Sequence, residues 1–289
     1  MKVNTETQYD IQLPAGTAVQ FKGVELGMEE FHIAYLFDKL RKDFGFLESA
    51  KKQMPVNGDG EVMPMYTYPC YEYLNSIDWT GADVFEYGTG FSTVWWKNKG
   101  ANIYGVEHNK QWYDKVDGKK LGNIILENDV ERYPKIVWAF SVMFDVIVID
   151  GLVRYECVEP AVSNLKPGGM IIFDNSDWHK NTKELLDTKD LIPIHFHGFK
   201  PTHVDSQTTS VYMHKDFNKK AQSIIPMGGT ERAPHMADKP KDYPPKVGEI
   251  MQGRPEELEY SRCFPLTTAL PCFINNMKYL YYMERAVVT

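Results

Sequence analysis

The chain has 289 residues and carries 39 acidic against 32 basic side chains, a formal net charge of −7. This length allows one large domain with extensions or two small ones, and the lack of a long basic run disfavours a nucleic acid as the main ligand. The amino terminus has no apolar core of a signal peptide, and the longest uncharged stretch near the carboxyl end, CFPLTTALPCFINNM, is too short to span a bilayer.

The first 80 residues are predicted to form a helical cap. Apolar residues recur at helical spacing within residues 28–42 and again within residues 70–77. The segment PVNGDGEVMP between them is rich in proline, glycine and asparagine, which is typical of a loop.

From residue 83 onward the pattern becomes a regular alternation of strands and helices, which predicts a parallel, doubly wound sheet. The segment FDVIVID is apolar nearly throughout, as expected for a central strand covered on both faces. The predicted strands are 83–88, 102–108, 123–129, 144–150 and 170–174, and the predicted helices are 92–100, 111–116, 131–140 and 155–165.

The alternation stops after this segment. The strand-like runs IPIHFHGFKP and TTSVYMHK follow one another without a helix between them, which predicts an antiparallel hairpin at one edge of the sheet. The expected fold is therefore α/β, with a mostly parallel seven-stranded sheet, in a domain spanning 81–217. Residues 218–289 are predicted to be an extension that packs on the body.

A glycine-rich turn, FEYGTGFST, follows the first strand of the sheet. Gly88 and Gly90 remove side chains where the backbone would have to approach a ligand. Ser92 and Thr93 are suited to the start of the next helix, as cap or first-turn residues. In an open parallel sheet, ligands bind at the carboxyl ends of the strands, so this turn is the candidate cofactor loop.

Acidic residues end four of the predicted strands: Glu86, Glu107, Asp150 and Asp174. Glu107 lies 21 residues after Glu86, and a carboxylate at that point can accept both hydroxyls of a ribose. A dinucleotide would need a third glycine where Thr93 stands, and Glu86 would direct a negative charge toward its pyrophosphate. S-adenosylmethionine carries an ammonium and a sulfonium, so acidic strand ends favour it instead.

The segments FEYGTGFST, IYGVEH, FDVIVIDG and LKPGGMIIFDNS resemble the ordered motifs of class I S-adenosylmethionine-dependent methyltransferases, in part those of O-methyltransferases. The terminal hairpin is similar to the reversed last strand of that fold. The resemblance implies that Glu86, Gly88 and Gly90 line the methionine end of the cofactor, Glu107 holds the ribose, Asp129 faces the adenine amino group and Asp150 lies beside the transferring methyl.

Asp150, Asp174 and Asn175 end two neighbouring strands, where three oxygen side chains could bind Mg²⁺. The arrangement is similar to that of catechol-type O-methyltransferases, in which such a metal lowers the pKa of the substrate hydroxyl. Those enzymes carry a lysine three residues after the first Asp, whereas this chain has Val153 followed by Arg154. Arginine stays protonated, so Arg154 would instead bind an acidic group of the substrate. The alternative is that both acids only order loops.

Histidines offer further candidates. His179 follows the site loop and is the nearest candidate general base, with a surface histidine at a helix start as the alternative. His195 and His197 share one face of a strand, which leaves a transition-metal cluster open. The aromatic run of Trp95, Trp96, Trp112 and Tyr113 is predicted to pack in the core and at the rim of the cofactor rather than to form a stacking platform for nucleic acid.

These observations favour S-adenosylmethionine-dependent methyl transfer to a small-molecule acceptor, most simply at a hydroxyl oxygen. Two alternatives stay open, a nicotinamide-dependent oxidoreductase and a non-catalytic binding or assembly protein that keeps the fold. No membrane partner is expected, and a homo-oligomer is compatible with the sequence. The four cysteines form no C-x-x-C pair, which predicts buried thiols in a reducing, cytoplasmic setting.

Overall fold

A computed structural model describes residues 19–21, 24–26, 36, 39–116, 118–222, 224 and 226–228. The chain divides into two compact units, one spanning Gly45–Met227 and the other formed by Met1–Phe44 with Gly228–Thr289. Residues 45–80 of the predicted cap therefore belong to the same unit as the sheet.

In the second unit, strands β1 (Val19–Phe21) and β2 (Val24–Leu26) pair antiparallel. Leu36 and residues 39–42 are helical, in agreement with the predicted helix over 28–42, whose remaining residues lie outside the described part of the chain. Most of the predicted extension, 218–289, also lies outside it.

The larger unit is built on a seven-stranded sheet. Its strands are β3 (Asp83–Tyr87), β4 (Asn102–Glu107), β5 (Asn123–Leu126), β6 (Phe144–Ile149), β7 (Leu165–Asp174), β8 (Ile192–Lys200) and β9 (His203–Met213). Its helices are α1 (Phe46–Lys52), α2 (Tyr68–Asn75), α3 (Phe91–Asn98), α4 (Lys110–Lys115), α5 (Gly118–Leu121), α6 (Arg154–Ser163) and α7 (Lys180–Asp187), with a 3-10 helix at Tyr133–Ala139.

The strand order is β5-β4-β3-β6-β7-β9-β8. The five strands from β5 to β7 pair in parallel, whereas β9 runs antiparallel to both of its neighbours. The predicted α/β class, seven strands and terminal hairpin are all confirmed. Between β3 and β6 the order of the strands reverses along the chain, and in open α/β sheets ligands bind in the crevice at such a point.

The core forms on both faces of the central strands. In β6 every residue except Asp145 is fully buried, as its apolar sequence predicts for a strand covered on two sides. Phe85 packs edge-on against Tyr87, with their ring centroids 4.7 Å apart, and both rings are buried. This rigid centre fixes the strand ends from which the candidate site is built.

The segment before the sheet is anchored to the terminal hairpin. The amide N–H of Thr67 donates to Thr209 Oγ1 at 3.0 Å, and the Thr67 hydroxyl donates to the carbonyl oxygen of Phe196 at 3.1 Å. The ring of Phe196 also stacks on Tyr73 of α2, at 5.3 Å between centroids. These contacts hold residues 65–67 near the carboxyl edge of the sheet.

Two further expectations concern cysteines and membranes. Cys70 and Cys157 are buried free thiols, as predicted, and the other two cysteines lie outside the described residues. Within the described ranges, no helix has the length and apolarity to cross a membrane.

Candidate functional site

A cavity of about 550 Å³ opens at the carboxyl ends of β3, β4 and β6. Its volume lies within the roughly 300–1,000 Å³ that is usual for small-molecule sites. It is lined by Gln53, Met65, residues 88–92, residues 107–109, Trp112, Lys115, Asp150 and Gly151. The turn after β3, the end of β4 and the turn after β6 therefore meet at one place, as the sequence predicts.

The two glycines of the loop after β3 have different physical reasons. Gly88 has φ +85°, and a Cβ on it would lie 2.6 Å from the Cα of Gly151, so close approach of two backbones requires a glycine there. Gly90 does not have a positive φ, and a Cβ on it would meet Trp112 Nε1 at 3.2 Å. Packing within the protein therefore explains why both positions are glycine, and both residues also line the cavity.

Glu86 lies beneath this loop and is fully buried. Its Oε2 accepts a hydrogen bond from the Thr93 hydroxyl, and Thr93 Oγ1 accepts from the amide N–H of Gly90 at 2.8 Å. Its Oε1 is buried without a hydrogen-bond partner among the described residues. Burial is the main cause that raises the pKa of Glu86 to about 8, against the lowering effect of the Thr93 and Ser92 hydroxyls.

Glu107 lines the same cavity from the end of β4 and is 2% exposed. It accepts backbone N–H bonds from Thr89 at 2.9 Å, from His108 at 2.9 Å and from Asn109 at 2.8 Å. The Thr89 hydroxyl at 3.5 Å and His108 Nδ1 at 3.1 Å also lie against this carboxylate, so Glu107 orders the two loops that it joins. Ser92 also lines the cavity, whereas Thr93 is buried behind it in its contact with Glu86.

Aromatic rings form one wall. Trp112 Nε1 donates to the carbonyl oxygen of Thr89 at 2.6 Å, and its ring packs edge-on against Phe91 at 5.4 Å. The ammonium of Lys115 lies over the Trp112 ring, 4.7 Å from the centroid. The expectation that Trp112 packs at the rim of the candidate cofactor site agrees with this position.

Asp129 is not brought to this cavity. Its carboxylate is exposed and accepts the amide N–H of Glu131 at 2.8 Å and of Arg132 at 3.2 Å, just before the 3-10 helix. These contacts cap a turn in the same way as other Asp side chains at helix starts. The structure therefore gives Asp129 a local role in this turn, and its contact with the adenine stays a prediction.

Arg154 ties the ends of β6 and β7 together. Its guanidinium donates to the carbonyl oxygens of Asp150 (3.0 Å), Gly151 (3.2 Å) and Asp174 (2.7 Å), and to Asp150 Oδ1 at 2.8 Å. Val153, directly before it, has φ +43°, where a β-branched residue is rare. Four of the five N–H donors of Arg154 are used within the protein, so its binding of an acidic group of the substrate stays a prediction.

The predicted magnesium ligands are not arranged as an open metal site. Asp174 is 2% exposed, with one carboxylate oxygen in contact with the ammonium of Lys200 and the other accepting from Thr209 Oγ1 at 2.6 Å. Asn175, at φ +52°, lies against the same ammonium. A cation therefore already stands beside Asp174, so these residues do not fit Mg²⁺.

Asp150 keeps a direct relation to the cavity, which it lines. Burial and the neighbouring Asp174 charge raise the pKa of Asp150 to about 7, against the lowering effect of Arg154. A carboxyl group with this pKa can exchange a proton near neutral pH.

The histidine candidates lie elsewhere. His179 precedes α7 beside Phe173, at 6.2 Å between rings, and does not line the cavity formed by the described residues. Burial and Arg154 lower its pKa. His195 and His197 bond through Nδ1 to Ser210 and Thr208, each at 2.8 Å. The described residues contain no group of three or more His, Cys, Asp or Glu side chains suited to a metal.

Sequence reasoning missed several residues at the site. Gln53 and Met65 line the cavity although both lie before the sheet. Tyr66 is fully buried, and its hydroxyl has no partner among the described residues. Burial first, and then the charges of Glu86 and Asp150, raise the pKa of Tyr66. The motif PMYTYP carried no signal of this placement, which depends on the Thr67 contacts with the hairpin.

Comparison with known proteins returned neither a matching family model nor a matching curated protein. Among solved structures, the chain is similar to an S-adenosylmethionine-dependent O-methyltransferase from Thermotoga maritima, with 12% identity, 53% of this chain and 67% of that one covered, and a TM-score of 0.39. It is also similar to the magnesium protoporphyrin IX methyltransferase from Synechocystis PCC 6803 with bound cofactor, with 10% identity, coverage of 50% and 75%, and a TM-score of 0.37. A third is the precorrin-6y C5,15-methyltransferase from Geobacter metallireducens, with 14% identity, coverage of 47% and 81%, and a TM-score of 0.37.

The similarity to these structures is too low to indicate an activity. The fold is assigned from the order and direction of the strands in the sheet. Five parallel strands are followed by a hairpin whose last strand, β9, is inserted antiparallel beside β7. The chain has a Rossmann-like α/β fold with an antiparallel terminal hairpin. In this fold the cavity lies at the switch point between β3 and β6, where a ligand is expected.

Replacing the two loop glycines separately tests whether backbone contact determines the loop. We expect Gly88→Ala to lower the free energy of unfolding by about 2 kcal/mol or more, because the added Cβ meets backbone at 2.6 Å and the φ is positive. Gly90→Ala is the matched control and is expected to cost less than about 1 kcal/mol, since only the Trp112 ring must shift. Urea denaturation measures both, and equal costs would contradict this account of the loop.

Proposed function

We propose that this protein transfers a methyl group from S-adenosylmethionine to a small-molecule acceptor, at a hydroxyl oxygen. The observation that carries the proposal is the cavity at the carboxyl ends of β3, β4 and β6, which Glu107 and Asp150 line while Glu86 is fully buried behind the glycine loop. Glu86 Oε1 has no hydrogen-bond partner among the described residues, which is costly for a buried polar atom.

The charges of the site suit this cofactor. Glu86, Glu107 and Asp150 place three acids around one cavity or directly behind its loop. The ammonium of the methionine moiety would lie toward Glu86, the ribose hydroxyls toward Glu107 and the sulfonium toward Asp150. The adenine would lie along His108 and Trp112, whose rings offer flat surfaces for stacking. When bound, S-adenosylmethionine supplies an electrophilic methyl group.

A nicotinamide dinucleotide fits this loop less well. Its pyrophosphate would need free amide donors at the start of α3, but the amide of Gly90 already donates to Thr93 Oγ1 at 2.8 Å. Thr93 in turn holds the Glu86 carboxylate there, and that carboxylate would repel a phosphate when ionised. A non-catalytic protein would have no need of two acids lining the cavity and a third buried behind its loop, because buried acids lower stability unless they are paired.

The residues of the chain mainly align the reactants and accept a proton. Bound S-adenosylmethionine would supply the methyl carbon to the acceptor oxygen, and its carbon–sulfur bond would break with the electron pair passing to sulfur. The hydroxyl proton passes to the Asp150 carboxylate, whose pKa of about 7 suits this step. Alignment and exclusion of water by the cavity supply the remaining acceleration.

The Glu86 carboxyl makes cofactor binding depend on pH. In the free protein it is neutral below about pH 8, and an ammonium ligand favours its charged form, so binding releases a proton. We therefore expect the affinity for S-adenosylhomocysteine to rise between pH 6 and pH 8, by up to about tenfold per pH unit. We expect Glu86→Gln to lose this slope and to bind about 10- to 100-fold more weakly at pH 8, as measured by calorimetry.

The matched control is Asp129→Asn, which makes the same acid-to-amide change at an acid that does not line the cavity. We expect it to keep the wild-type affinity and slope. A folded Glu86→Gln variant with wild-type affinity at both pH values would remove Glu86 from cofactor binding, and weakened binding by Asp129→Asn would restore an adenine contact there.

The acceptor class is tested with methyl-labelled S-adenosylmethionine and two sets of small acceptors, phenols and catechols in one and primary amines in the other. We expect label in the hydroxyl set, with a rate that falls about 100-fold in Asp150→Asn because the proton acceptor is removed. Label in amines alone would contradict the acceptor proposed here while leaving the cofactor intact.

A further inference from the structure

The ends of β6 and β7 carry a charge-balanced cluster. Asp150 pairs with Arg154 at 2.8 Å, and Asp174 pairs with Lys200 in direct contact. When both are ionised, the two carboxylates carry two negative charges, which the two positive charges of the side-chain cations balance. This positive charge equals that of one divalent metal ion, and it is supplied by the chain itself.

Lys200 is the unusual member of the cluster. It is the last residue of β8, on the outermost strand of the sheet, and its side chain is 1% exposed. Lysine is almost never fully buried unless it is paired. A buried ion pair is weak evidence for a role in stability, since desolvation of both charges offsets their attraction. The burial of Lys200 therefore calls for another explanation.

The contacts of Lys200 Nζ supply that explanation. It contacts Asp174 Oδ2. With the amides of Asn175 and Gln207 both turned, Asn175 Oδ1 accepts from Lys200 Nζ at 3.1 Å and from the Gln207 amide at 2.8 Å, and Asn175 Nδ2 donates to Asp174 Oδ2 at 3.0 Å. The ammonium thus takes the same aspartate and asparagine oxygens that a magnesium ion would take at the end of this strand.

We propose that the ammonium of Lys200 replaces a divalent metal ion at the carboxyl end of β7. Lys200 is a positioning residue: it holds Asp174 and Asn175 beside the Asp150 end of β6, so that this edge keeps its geometry without a bound metal. The replacement of the metal by Lys200 rests only on the contacts described above. Its consequence for methyl transfer, that the reaction proceeds without Mg²⁺, rests on the proposed function.

The test uses Mg²⁺ alone as the probe, on the full chain, so that no methyl donor is needed. Wild type is expected to show no Mg²⁺ binding by calorimetry and the same Tm in EDTA as in millimolar Mg²⁺. In Lys200→Gln the oxygens of Asp174 and Asn175 lose their cation, and Mg²⁺ is expected to raise the Tm by about 3 °C or more. The matched control, Lys200→Gln with Asp174→Asn, removes both charges and is expected to show no Mg²⁺ effect.

Specific binding of Mg²⁺ by wild type would overturn the inference, as would a folded Lys200→Gln variant that ignores Mg²⁺. If Lys200→Gln folds only when Mg²⁺ is present, the inference is supported. If that variant does not fold under either condition, the wild-type titration decides. Failure of S-adenosylhomocysteine to bind would count against the proposed function and leave these outcomes unchanged.

Discussion

The approach of two backbones at the centre of the sheet is the constraint on which the site depends. Gly88, after β3, and Gly151, after β6, lie so close that a Cβ on Gly88 would stand 2.6 Å from the other residue's Cα. Adjacent parallel strands with buried aromatic and branched side chains bring the two turns together, and only glycine fits between them. The cavity and its acids are arranged around this contact, so they depend on the core beneath it.

The acids at and behind the cavity have different hydrogen-bond and charge partners. Glu107 is held by three backbone amides and orders two loops. Glu86 has one bonded and one unpartnered oxygen, which leaves it able to receive a ligand donor. Asp150 is compensated by Arg154, while Asp174 behind it is compensated by Lys200. Asp150 lines the cavity, and its negative charge would stabilise a positively charged donor there.

The strands of the sheet and the backbone turns at the cavity could be predicted from the sequence, because they depend on local patterns. The apolar run of β6, the glycine turn after β3 and the helix-free hairpin each have a signature within a few residues. Contacts between residues far apart in the chain could not be predicted from it. Lys200 meets Asp174 across 26 residues of chain, and Met65 lines the cavity next to a segment in which the Thr67 amide bonds to β9 across 142 residues. Asp129 was assigned by resemblance, and its own turn takes its carboxylate.

We propose above that the cavity between β3 and β6 binds S-adenosylmethionine. The most direct measurement is calorimetric titration of the wild-type chain with S-adenosylhomocysteine, beside an identical titration with reduced nicotinamide dinucleotide. We expect saturable binding of S-adenosylhomocysteine, with about one molecule bound per chain, and no binding of the dinucleotide. Absence of S-adenosylhomocysteine binding by folded protein, or preference for the dinucleotide, would contradict it.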